Sequence, residues 1–112
     1  MARIPAFTVY MNPIVRALKE LGGSATNPEL YERVTTIMGL TEKELSVAHG
    51  DSANLTEVGY RMAWARTYLK NAGFLENSQR GVWTLARAGQ EVLSVLSVTS
   101  VAPFSVVAVG KP

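Results

Sequence analysis

Apolar residues fall at helical spacing in three stretches of the chain. Ile14, Val15, Leu18 and Leu21 form the first stripe, with Asn12-Pro13 as its start signal and Gly22-Gly23 as its stop. Leu30, Val34, Ile37 and Met38 form the second, opened by Asn27-Pro28 and ended by Gly39. Thr41-Glu42-Lys43-Glu44 reads as a capping box that starts a short extra helical turn. Val47 to Asn54 reads as a loop centred on His49-Gly50-Asp51-Ser52. The third stripe is Val58, Met62, Ala65, Leu69 and Ala72. Thr56 serves as its cap, Gly73 as its left-handed stop, and Phe74 as the apolar contact beyond. The pattern then changes to two short strands, Phe74-Leu75-Glu76 and Val82-Trp83-Thr84-Leu85, with Ser78 to Gly81 as the hairpin tip. A last helix is predicted from about Arg87 to Leu96.

Helices followed by a small hairpin predict a mostly α fold with a β-hairpin (α+β), a winged helix-turn-helix, over residues 1–96. Residues 97–112 form a Ser- and Val-rich tail, read as an arm or the start of a linker. Val92 to Gly110 carries no charge, but serines, a threonine, a proline and a glycine interrupt it. A membrane helix needs about 20 predominantly apolar residues, so membrane anchoring is not expected.

The chain has 112 residues and no cysteine, which bounds it to one domain and removes disulfides, thiolate metal sites and cysteine nucleophiles. A cytoplasmic location fits that usage. The sole histidine, His49, has no second ligand of its kind and reads as a solvated loop residue. No catalytic triad or phosphate-cradling glycine loop is present. Neither catalysis nor a cofactor or metal is expected.

The net charge of +2 is small, but it is unevenly distributed. Thr26 to Asp51 holds two basic and five acidic residues, and Val58 to Gly89 holds five basic and one acidic. The positive half coincides with the third helix and the hairpin. Arg66 and Lys70 are expected to point away from the apolar stripe, with Gly59, Ala63 and Thr67 beside them. Small side chains at Gly59 and Ala63 would let the helix backbone approach base edges. Tyr60 is the aromatic best placed for DNA, and Gln79 and Arg80 lie at the hairpin tip. A cationic helix and β-tip suit a major groove and an adjacent backbone. Arg61, at the edge of the stripe, is a further candidate contact, unless it pairs with Glu57 four residues earlier. Trp64 and Tyr68 read as packing mass at the core boundary in preference to base stacking, and Trp83 as the wing's anchor. Exposed cations are also ordinary on helix faces, so charge by itself leaves DNA binding and a solvated surface as equal readings.

The run Arg61-Met62-Ala63-Trp64-Ala65-Arg66-Thr67-Tyr68-Leu69-Lys70-Asn71-Ala72-Gly73-Phe74-Leu75-Glu76, followed by Arg80-Gly81-Val82-Trp83, resembles the N-terminal domain of Mrr-type restriction proteins. Ile4-Pro5, the Pro13 helix start and the loop before the third helix extend the resemblance over about residues 4–96. It implies a winged-helix module that targets double-stranded DNA with a methylated or otherwise modified base. In the family such a module precedes a nuclease domain of the PD-(D/E)xK class, whose carboxylate cluster has no counterpart here. The chain thus reads as a solitary winged helix or the N-terminal piece of a longer enzyme, partnered by a nuclease domain or by a second copy of itself. The family often has Thr where this chain has Ala86, and Thr84 is the expected substitute cap, starting the last helix two residues earlier. Competing readings are a dimeric winged-helix transcription regulator and a winged-helix protein-interaction module.

Overall fold

A computed structural model of the chain describes residues 4–51 and 55–88. A 3-10 turn (Phe7–Tyr10) leads into α1 (Met11–Glu20), β1 (Ser24–Thr26), α2 (Asn27–Met38) and α3 (Glu42–Leu45). Then come α4 (Glu57–Asn71), the expected third long helix, and the strands β2 (Leu75–Gln79) and β3 (Val82–Leu85). The strands form one antiparallel sheet in the order β1-β3-β2. This is the α+β, winged-helix-like arrangement that the patterning predicts. Arg87 and Ala88 are helical, where the last helix is expected to begin; the rest of that helix and the tail at 97–112 lie outside the described residues, which stop at Ala88.

The stripes of α1, α2 and α4 converge on one core. Ile14, Leu18, Leu30, Val34, Val58, Met62 and Leu69 are buried there, and Phe74, Leu75 and Leu85 close it from the base of the hairpin. The core begins earlier than the periodicity suggests. Asn12 does not cap α1, which runs directly out of the 3-10 turn with Tyr10 at the N-cap position and no side-chain cap. Tyr10 and Met11 are therefore fully buried. Pro13 still sits in the first helical turn, where its missing N–H has no intrahelical partner to lose. After α1 the chain reverses at Gly22 and Gly23, with φ of 93° and 99°, which side chains with a Cβ rarely adopt.

That reversal delivers β1, which the patterning does not anticipate. Ser24, Ala25 and Thr26 pair with Thr84, Trp83 and Val82. Thr26 then caps α2 in a reciprocal box with Glu29, one residue before the expected cap. Asn27 is freed from capping, and its Oδ1 accepts a 2.8 Å hydrogen bond from Trp83 Nε1. Gly39 ends α2 and Thr41–Glu44 caps α3 as expected.

The hairpin is tighter than its sequence suggests. Ser78 and Gln79 belong to β2, so the tip is Arg80-Gly81 alone. The register shifts between Glu76 and Gln79, and Asn77 Nδ2 fills the irregularity by donating to the carbonyls of Gln79 (3.1 Å) and Val82 (2.7 Å). Thr84 does not start a helix. It pairs in β3, and its hydroxyl bonds those of Ser24 (3.1 Å) and Ser78 (2.9 Å).

Candidate nucleic-acid interface

The candidate interface is built on α4, whose start is well fixed. Thr56 Oγ1 accepts from Gly59 N at 3.0 Å, Ala48 bridges Thr56, and Val47 O accepts from Glu57 N at 2.8 Å. With Val58, Met62, Ala65 and Leu69 turned to the core, helical periodicity leaves an opposite face of Tyr60, Ala63, Thr67 and Lys70, and Trp64 lies at its edge on the side of Tyr68. Thr67 and Lys70 are exposed, and Tyr60 and Ala63 are half-buried. The Thr67 hydroxyl turns back to the Ala63 carbonyl at 3.0 Å. Arg80 is exposed at the hairpin tip, and Gln79 is exposed at the end of β2 beside it. Tyr60, Ala63, Thr67 and Lys70 thus share one face, with Gln79 and Arg80 on a separate projection.

Four expectations change. Gly59 does not open the outer face. A Cβ there would meet Thr56 Oγ1 at 3.1 Å, with Leu55 and Tyr31 next, so this glycine faces the body of the protein. Arg66 does not stand free. Its guanidinium lies 5.5 Å from the centroid of the Trp83 ring, its Nε is buried with no hydrogen-bond partner among the described residues, and burial pulls its pKa below the ordinary arginine value. It braces α4 against the wing. His49 is not simply solvated. Its ring stacks on Tyr60 at 3.7 Å, and Nδ1 lies 2.8 Å from Glu57 Oε1. Trp64, expected at the core boundary, is 47% exposed. Trp83 does anchor the wing, between Asn27 and Arg66.

Arg61 makes the pairing that its spacing allows, and more. Nε donates to Glu57 Oε2 at 2.6 Å, while Nη1 donates to the carbonyls of Ile4 (2.8 Å) and Pro5 (3.0 Å). Its fork is thereby spent on the protein. The hydrogen bonds from His49 and Arg61 hold the Glu57 carboxyl below its usual range. The segment clasped by Arg61 lays Phe7 against Tyr68, with ring centroids 4.9 Å apart. A groove of about 420 Å³ results, with Phe7, Tyr60, Trp64 and Tyr68 in its lining and Glu57 and Arg61 as its polar members. Sequence reasoning missed this groove, because Phe7 lies more than fifty residues from its partners.

Among the described residues no group of His, Cys, Asp or Glu is arranged to hold a metal ion, and no helix is long and apolar enough to cross a membrane. The family model of the Mrr N-terminal domain matches residues 7–95. No curated protein and no solved structure matches the chain. The match spans most of the chain and covers an N-terminal domain, with no catalytic domain in it.

Proposed function

The chain belongs to the Mrr N-terminal domain family, a restriction-system-related domain, and we propose that it acts as a non-catalytic module that binds double-stranded DNA. The observation that carries this reading is the outer face of α4. Ala63 and Thr67 keep it low, Lys70 puts a cation at one end, and Arg80 projects from the neighbouring hairpin tip. A helix of that profile suits the major groove, and the hairpin tip suits the adjacent backbone. Phosphate contacts supply most of the affinity and make it salt-dependent. Arg66 would reach phosphate with the part of its fork not turned to Trp83. Arg61 acts through α4, by fixing its flank.

The family resemblance extends the reading to DNA with a modified base. A methyl in the major groove is read by apolar contact, as that of thymine is, and Ala63 and Tyr60 are the candidates on this face. The test is fluorescence anisotropy on matched duplexes, unmodified and cytosine- or adenine-methylated, across a salt series. Tighter binding to one methylated duplex is the expected result. Equal, salt-steep binding to all duplexes keeps DNA binding and removes base modification. No binding at low salt overturns the proposal and favours a protein partner.

A further inference from the structure

The aromatic groove beside α4 shares only Tyr60 with the face offered to the major groove, yet it is a built feature. Three of its aromatic residues, Tyr60, Trp64 and Tyr68, recur at helical spacing on α4, and the fourth, Phe7, comes from the opening turn. Most of the lining is held from behind. His49 stacks on Tyr60, Phe7 packs on Tyr68, and Arg61 ties the carbonyls of Ile4 and Pro5 to α4 just ahead of Phe7. Trp64 is left 47% exposed, with its ring 6.4 Å from that of Tyr68. A half-exposed indole beside a second ring, on a rigid support, is a preformed stacking surface.

Its chemistry selects the occupant. Four aromatic rings around a volume of about 420 Å³ suit a planar ring system. Each oxygen of the Glu57 carboxylate already accepts one hydrogen bond and keeps a lone pair for another. A carboxylate in the lining disfavours a phosphate, so the sugar-phosphate backbone is a poor occupant. The exocyclic amino group of adenine or cytosine is a good one, because it donates to such an oxygen. The groove also adjoins the outer face of α4 through Tyr60 and Trp64. We propose that it holds a single nucleobase, adenine or cytosine, swung out of its stack in the DNA bound by α4; this rests on the DNA-binding reading above. Stacking on Trp64 and its neighbours would offset part of the unstacking cost, and that cost is lowest at a mismatched or bulged nucleotide.

The test uses the full chain and three duplexes: fully paired, with one bulged adenine, and with one bulged thymine. The expected result is roughly tenfold tighter binding to the bulged adenine than to the paired duplex, the size of one base–aromatic stack. The bulged thymine should gain less. Trp64→Leu should erase the preference while leaving paired-duplex affinity within about twofold. In a Trp83→Phe background, the bulged-adenine duplex should quench the remaining Trp64 fluorescence most, and the paired duplex should leave it unchanged. Equal affinity for all three duplexes with unchanged Trp64 emission overturns the nucleobase and leaves DNA binding standing. Absence of binding to every duplex at low salt overturns both. If sedimentation shows a dimer that Trp64→Leu dissolves, the groove belongs to a second copy of the chain and the proposal falls.

Discussion

Arg61 and Arg66 lie one and a half turns apart on α4 and leave it on opposite flanks. Arg61 meets a carboxylate and two carbonyls, so both its charge and its geometry are satisfied inside the protein. Arg66 meets the face of an indole, with its Nε buried and unbonded. The first flank is a closed clasp that fixes the opening segment. The second is a cation held in place by a ring, with hydrogen-bonding capacity left over. Two arginines in one stretch of helix thus divide the work. One ties the opening segment to the helix, and the other packs on the wing with no carboxylate bonded to it among the described residues.

The sharpest way to break this comparison is to truncate each arginine in turn. Arg61→Ala removes three charge-assisted hydrogen bonds and frees Ile4 and Pro5. It should lower stability by about 1–3 kcal/mol in urea unfolding. Arg66→Ala should cost much less, since it also removes an unsatisfied buried donor. Comparable losses for the two would erase the distinction. On DNA the ranking should invert. Arg66→Ala with Lys70→Ala should weaken duplex binding severalfold and reduce the salt slope by about two, one for each phosphate left without its cation. Unchanged affinity in a folded double variant would remove α4 as the reading helix.

Acid separates the flanks next. The Glu57 carboxyl lies below its ordinary value of 4.5 in the folded chain because His49 and Arg61 bond it. The stabilisation is full above that ordinary value and is lost as pH falls through the lowered one. Urea midpoints measured down a pH series should drop over that range, and Arg61→Ala should flatten the drop. A drop equally steep in the variant would assign it to other carboxylates. The smallest effect belongs to Gly59. It faces Leu55 and Tyr31, so Gly59→Ala should change duplex affinity by less than about twofold, against a one-methyl term on a reading face. A larger loss would return this residue to the DNA-facing side.

Much of the architecture can be read locally. Helix stripes, the Gly39 and Gly73 stops, the Thr41–Glu44 box and the Thr56 cap depend on residues within a turn of one another, so their spacing carries the signal. Strand β1 has no such signal. Three residues are too few for a period, and they become a strand only because β3, far along the chain, offers its free edge. The same edge moves the α2 cap from Asn27 to Thr26 and turns Asn27 toward Trp83. At the candidate site, Lys70, Thr67, Ala63 and Arg80 are exposed or half-exposed where their spacing predicts. Gly59 and Arg66 are half-buried as well, but Gly59 is turned toward Thr56, Leu55 and Tyr31, and Arg66 toward Trp83 of β3.

Local sequence sets the helix stops at Gly39 and Gly73, the caps at Thr41 and Thr56, the apolar faces of the helices, and the half of the chain on which the cations collect. These are properties of neighbours along the backbone. Tertiary structure decided which cations remain available, that Phe7 completes an aromatic groove with α4, and that His49 braces its wall. Each of these depends on a partner between 8 and 61 residues away, as His49 on Glu57 and Phe7 on Tyr68. Its position is set only when the core has brought the elements together.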